Sequence, residues 1–115
     1  MTYALFLDDE RYPPTSPPPS GFEWVILRDF AQACRYVEEN GMPVFVSFDH
    51  DLGDGPTGMA FAKWLVERDM DGVSLLPATF QFFVHSQNPV GATNIRGLME
   101  AYLSCRAVNL AGVPP

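Results

Sequence analysis

The chain has 115 residues, 14 acidic and seven basic, for a formal net charge of −7 and a pI near 4.5. That balance excludes a broad basic face for nucleic-acid binding, and 47% hydrophobic with 13% aromatic content excludes overall disorder and suffices for one core, so a single domain over residues 1–115 is expected. The apolar runs are far shorter than the roughly 18–20 residues a membrane span needs. The first residues carry no secretory or lipidation signature, so a cytoplasmic location and no membrane partner are expected.

In chain order, residues 3–7 form a continuous apolar run, the pattern of a strand covered on both faces, and it breaks into Asp8-Asp9-Glu10-Arg11. Residues 12–20 hold five of the 11 prolines and cannot be helical; they read as a stiff connection. Residues 24–27 are a second strand. Asp29 with Gln32 three positions on forms a capping box, Phe30, Ala33, Cys34 and Val37 mark the buried stripe of the helix that follows, and Asn40-Gly41 stops it.

Residues 44–48 predict a third strand, which gives way to Asp49-His50-Asp51-Leu52-Gly53-Asp54-Gly55. Thr57 or Gly58 opens a helix with Phe61, Ala62, Leu65 and Val66 inward that fades by Asp71-Gly72, and residues 73–79 form a loop with an apolar middle. Residues 80–84 are a fourth strand delivering His85-Ser86, and Asn88-Pro89 caps a last helix marked by Ile95, Leu98, Met99, Tyr102 and Leu103. A short fifth strand at 107–110 is an option, and 111–115 reads as a frayed tail. Cys34 and Cys105 fall at positions that read as buried, without metal-site spacing, and are expected to be reduced core thiols. Strands alternating with helices predict an α/β fold with a parallel sheet of four or five strands flanked by helices.

In such sheets ligands bind beyond the carboxyl ends of the strands. Three strands here end in polar chemistry: Asp8, Asp9, Glu10 and Arg11; Asp49, His50, Asp51 and Asp54; His85, Ser86 and Asn88. If those strands are neighbours, spaced about 4.8 Å apart, the groups share one crevice. Strand-end acids commonly cap helices or solvate loops, and Asp54 before Gly55-Pro56 reads as turn chemistry and Glu10 as solvated. Carboxylates brought close repel unless a cation lies between them, so Asp8, Asp9, Asp49 and Asp51 are candidate ligands for a divalent metal, Mg²⁺ or Mn²⁺, with Ca²⁺ also compatible.

Both histidines of the chain, His50 and His85, directly follow strand runs and are candidates for acid and base in phosphoester chemistry, His50 suiting the acid. Ser86, Asn88 and Asn94, at the opening of the last helix, are placed to hold a phosphate, and Arg11 could add a fork to its oxygens.

An acidic pair after the first strand, an Asp after the third and a hydroxyl after the fourth resembles the receiver domain of response regulators. That resemblance matches Asp8 and Asp9 to its metal-binding acids, Asp49 to its phospho-accepting Asp, Gly58 to the glycine that follows and Ser86 to its Ser/Thr. No lysine follows a fifth strand; Lys63, on a helix, is the one lysine of the chain.

Three strings are more closely similar to the cyclic-phosphate-processing receiver-like family, with the likeness spanning residues 3 to about 103. They are Leu5-Phe6-Leu7-Asp8-Asp9-Glu10-Arg11, Ser47-Phe48-Asp49-His50-Asp51-Leu52-Gly53, and the run 84–95 beginning Val84-His85-Ser86-Gln87-Asn88-Pro89. The resemblance implies a receiver-like, flavodoxin-like fold with the proline-rich loop 12–20 in place of the first receiver helix and histidines where receivers carry the phosphorelay lysine. It also implies a metal-dependent phosphoesterase acting on a cyclic phosphate, a 2′,3′-cyclic RNA end or a cyclic nucleotide, with Asp49, His50 and His85 catalytic. The competing expectation is a non-catalytic signalling or nucleotide-sensing module with Asp49 as phosphoacceptor.

Six of the 14 acids, Asp8, Asp9, Glu10, Asp49, Asp51 and Asp54, lie in the two strand-end motifs, leaving eight acids against seven bases elsewhere. The negative charge is therefore local, and the basic residues form no extended patch. Small phosphate esters or an RNA terminus are the partners this favours.

Overall fold

The computed structural model describes residues 3–13, 22–53 and 55–110. Its elements are β1 (Ala4–Leu7), β2 (Trp24–Leu27), α1 (Phe30–Asn40), β3 (Phe45–Phe48), α2 (Gly58–Met70), β4 (Gln81–Val84) and α3 (Pro89–Leu110). The expected proline-rich connection lies mostly outside the described residues, as do Asp54 and the tail 111–115.

The four strands are parallel in the order β2-β1-β3-β4, with Leu7 level with Leu27 and Phe48, and Phe48 level with Val84. Because strand side chains alternate between faces, this register puts Leu5, Leu7, Leu27, Val46, Phe48 and Val84 on one side, where they form a single core with Ala33, Cys34 and Val37 of α1, Phe61 and Leu65 of α2, and Ile95 and Met99 of α3. The opposite side carries Ala4, Phe6, Trp24 and Phe45, with Trp24 edge-on to both Phe6 and Phe45 at 5.6 and 5.7 Å between ring centroids.

The helix ends follow local chemistry. Asp29 accepts from the Gln32 N–H at 2.8 Å, while the Gln32 side chain reaches back to the Arg28 N–H at 3.0 Å, so the capping box is closed one residue before the cap. Gly41 ends α1 at φ 89°, a left-handed backbone conformation that glycine adopts without penalty. Thr57 caps α2 through the Ala60 N–H, and Asn88 caps α3 through the Gly91 N–H at 2.9 Å.

Two expectations are corrected. Residues 107–110 are the end of α3 and not a fifth strand, so the sheet has four strands among the described residues. No glycine or proline interrupts the chain between Leu98 and Leu110, so nothing stops the helix there. Cys105 is exposed, because on a 3.6-residue period it falls off the face marked by Ile95, Met99 and Tyr102. Cys34 is buried as expected, and its thiol is pushed up to about 11 by burial and by the charge of Glu38.

One buried ionic network ties α2 to α3. Asp69 of α2 accepts from the Leu76 N–H at 2.8 Å, from the Tyr102 hydroxyl and from Arg106 at 3.0 Å. It pins the connection before β4 and with it the strand that supplies His85.

Candidate functional site

The ladder continues one residue past the strands. The Asp49 N–H bonds to the Leu7 carbonyl at 3.0 Å, the His85 N–H to the Phe48 carbonyl at 3.0 Å, and the Asp8 N–H to the Leu27 carbonyl at 3.2 Å. Asp8, Asp49 and His85 are therefore one row across β1, β3 and β4, on the face already carrying Phe6, Ser47 and Phe83. One carboxylate oxygen from each acid and one ring nitrogen of the imidazole lie within 4.8 Å of each other.

Asp8 is fully buried, at 0% exposure. Its Oδ1 accepts from the Glu10 and Arg11 N–H groups at 2.9 and 2.8 Å, and its Oδ2 meets Arg11 Nε at 3.1 Å and His85 Nε2 at 3.0 Å. Burial alone would raise its carboxyl, but the two backbone donors, then His85 and the Arg11 guanidinium, outweigh that and hold it below the usual carboxylate range.

Asp49, 5% exposed, is the opposite case. Burial, and after it the charge of Asp8, push its carboxyl upward, and the Ser86 hydroxyl, His85 and Arg11 offset this only in part. The nearest guanidinium nitrogen, Arg11 Nη2, is 3.8 Å from its Oδ2. The row thus holds one well-compensated carboxylate and one under-compensated carboxylate.

His85 is fixed on three sides. Its ring stacks on Phe6 with centroids 4.5 Å apart and 6° between planes, and its Nδ1 lies 2.7 Å from the Ser47 hydroxyl. A hydroxyl can donate or accept, so Ser47 supports either neutral tautomer: Nε2–H donating to Asp8, or Nδ1–H with the Nε2 lone pair open toward the acids. Two carboxylate oxygens with an imidazole nitrogen make a donor set that fits a divalent cation, the mixed oxygen and nitrogen ligation suiting Mn²⁺ at least as well as Mg²⁺.

The loops are held by close backbone approaches. A Cβ on Gly58 would lie 1.9 Å from the Asp49 carbonyl oxygen, and the Gly58 N–H donates to the His50 carbonyl at 2.8 Å, so α2 begins in contact with the loop bearing Asp49. Arg28 clamps the other loop from outside: its Nη1 donates to the Asp8 carbonyl at 3.1 Å and also to that of Arg11, and its guanidinium lies 4.7 Å over the Tyr12 ring.

The remaining candidates sit around this row. His50 packs against the first turn of α3, where a Cβ on Gly91 would fall 2.3 Å from its Cγ. Its Nδ1 is 2.9 Å from Asp51 Oδ1, which the Asn88 side chain also approaches at 3.5 Å. The His50 contact holds the exposed Asp51 carboxyl below its usual range. Asp9 is exposed, with its carboxylate toward Gly53, and Asn94 is exposed on α3. Asp9 and Asp51, expected as ligands, are thus outside the Asp8–Asp49–His85 group.

Ser86 accepts from the Asn88 N–H at 3.1 Å, and its hydroxyl is among the groups that draw the Asp49 carboxyl downward. Arg11, expected to face substrate, turns inward onto Asp8 and Asp49. Ser47, Phe6 and Arg28 were missed by the sequence reading. Of these only Ser47 carried a signal, as the lone polar residue in the apolar run 44–48.

Residues 3–101 match the family described as Cyclic-phosphate processing Receiver domain, and the chain belongs to that family. No curated protein and no solved structure matches it. The four-stranded parallel sheet with three flanking helices is a receiver-like α/β fold, as the sequence implied. Among the described residues no helix is long and apolar enough to cross a membrane.

Proposed function

We propose that the protein is a metal-dependent phosphoesterase acting on a cyclic phosphate, either a 2′,3′-cyclic RNA end or a cyclic nucleotide. The observation that carries this reading is the row Asp8, Asp49 and His85, three donors within 4.8 Å at the carboxyl ends of adjacent strands, in a chain of the cyclic-phosphate processing receiver family. These three residues would hold Mn²⁺ or Mg²⁺, which when bound supplies charge neutralisation for phosphate oxygens and activation of a water.

The chain's own groups do the rest. Ser47 and Phe6 fix the His85 ring, so its Nε2 is presented to the acids without rotational search. His50, held by Asp51 at the mouth of α3, is the proton donor or acceptor on the opposite rim. Ser86 and Asn88 line the same rim, with Ser86 oriented by the Asn88 N–H; they orient the phosphate, and Asn94, further along α3, contributes only where a larger substrate extends that way. The few scattered basic residues favour a small ester or a terminus over a long polymer.

The test is a hydrolysis screen of the purified chain with Mg²⁺, Mn²⁺ and Ca²⁺ against 2′,3′-cyclic, 3′,5′-cyclic and linear phosphodiesters. Turnover of a cyclic substrate that needs metal, and that Asp49→Asn and His85→Ala each abolish, is expected. Absence of metal-dependent turnover across the panel sinks the proposal.

The placement of Asp49 directly after β3, with the Ser86 hydroxyl among the groups acting on its carboxyl, supports a second reading, in which Asp49 accepts a phosphoryl group and the domain signals without turnover. Incubation with acetyl phosphate and Mg²⁺ followed by mass spectrometry separates the two, since a stable Asp49 adduct belongs only to the second.

A further inference from the structure

We propose that the Arg11 guanidinium is an exchangeable counter-ion of the Asp8–Asp49 pair, displaced when a divalent cation enters and thereby released toward the substrate phosphate. This rests on the metal-dependent reading above and adds a competition between a side chain of the protein and the ion for the same carboxylate edge.

Four observations support it. First, the guanidinium spans the pair, with Nε 3.1 Å from Asp8 Oδ2 and Nη2 3.8 Å from Asp49 Oδ2, and Asp8 Oδ2 is also the oxygen facing His85. An ion held by the acids and the imidazole would compete with the arginine nitrogens for the same carboxylates. Second, the hold is uneven: contact with Asp8 is close, while the longer separation from Asp49 leaves that carboxylate under-compensated.

Third, the Arg11 backbone has its own anchors, independent of its side chain. Its N–H is held by Asp8 Oδ1 at 2.8 Å and its carbonyl by Arg28, so the side chain can swing without moving the loop. That side chain is 42% exposed, which leaves it open to solvent on the outer side. Fourth, a doubly charged ion beside a guanidinium meets twice the repulsion of a unit-charge pair at the same distance, in surroundings where burial weakens screening. The two therefore compete for the edge. Once turned outward, the planar fork matches phosphate oxygens.

Mn²⁺ binding to the full chain, followed by titration calorimetry and by electron paramagnetic resonance of the free ion, tests this on wild type, Arg11→Gln and Asp49→Asn. Arg11→Gln is expected to bind Mn²⁺ at least about fivefold more tightly than wild type, the lower end of usual coupling between competing ligands. Asp49→Asn is expected to lose binding. In wild type, the Arg11 Nε–H resonance should shift and lose its protection from solvent exchange on saturation with diamagnetic Mg²⁺.

Equal or weaker Mn²⁺ binding by Arg11→Gln overturns the exchange while leaving the metal site standing. No binding by either protein removes the metal-dependent reading and the exchange with it. Should Arg11→Gln fail to fold, an Nε–H signal unmoved at saturating Mg²⁺ overturns the proposal on wild type alone.

Discussion

Gly58→Ala isolates the contact that positions Asp49. By helix propensity alone, alanine at the start of α2 would stabilise the protein, by at most about 1 kcal/mol. The structure reverses the sign. The added carbon would lie 1.9 Å from the Asp49 carbonyl oxygen, 2.9 Å from its carbonyl carbon and 3.2 Å from the His50 Cα, whereas non-bonded carbons rest about 3.5–4.0 Å apart. All three neighbours are backbone, so no rotamer change relieves the overlap. Either α2 or the loop must move by more than 1 Å, roughly, to restore ordinary contact. Overpacking of this kind costs about 1–3 kcal/mol, or somewhat more where nothing can yield. The displaced Gly58 N–H to His50 carbonyl bond adds about 1 kcal/mol.

The net expectation is a loss of about 3 kcal/mol, read as a fall in Tm of about 10–15 °C for a domain of this size. Urea unfolding followed by far-UV circular dichroism measures it, with an unchanged m-value showing that the unfolded state is not responsible. A Gly58→Ala protein within about 0.5 kcal/mol of wild type would refute the reasoning, because surface substitutions that touch nothing fall in that range.

Gly91→Ala should destabilise by about 1–3 kcal/mol for a similar reason, but its main obstacle is the His50 side chain. Adding His50→Ala should recover most of that loss, a coupling that a double-mutant cycle reads directly. Asp49→Asn without divalent cation should raise Tm at neutral pH: the folded pKa of Asp49 lies above its unfolded value, so its ionisation opposes folding above the folded pKa. The gain should vanish as pH falls through that value and wild type becomes neutral there too. A melting series from pH 7 down to pH 4 follows the trend. Asp69→Ala should cost about 3–5 kcal/mol by leaving the Arg106 charge without its buried partner, and Tyr102→Phe about 1 kcal/mol, both by urea titration.

The strands and helix starts were legible because each announced itself locally. The run 3–7 and the Asp29 and Asn88 caps carry their structure in their own chemistry, and the observed strands begin within one residue of the expected ones. What the sequence could not supply was register. Asp8 and Asp9 are equivalent as letters, and only the parallel alignment of β1 with β3 puts Asp8 in the row and Asp9 outside it.

The same holds for Arg11. Its sequence neighbours Asp9 and Glu10 suggest a solvated surface charge, while its partner Asp49 comes from a different strand. Arg28 and Phe6 act on the site through contacts 17 to 79 positions away in sequence, which no local pattern encodes. The misread end of α3 has the reverse cause: β-branched and apolar letters at 107–110 suit a strand, but a helix already under way needs a breaker to end it.

β4 has a hydrogen-bonded neighbour only on its β3 side among the described strands. An edge strand is paired on one flank alone, so it can fray at a lower cost than β1 or β3. His85 hangs from that strand, while Asp8 and Asp49 hang from the two interior ones. The imidazole is thus the donor the fold holds least firmly, kept in place by Ser47, Phe6 and the Asp69 tie behind it. Amide exchange should find the His85 N–H opening before those of Asp8 and Asp49, so that the cluster loses its nitrogen donor first and keeps its carboxylates until the sheet itself unfolds.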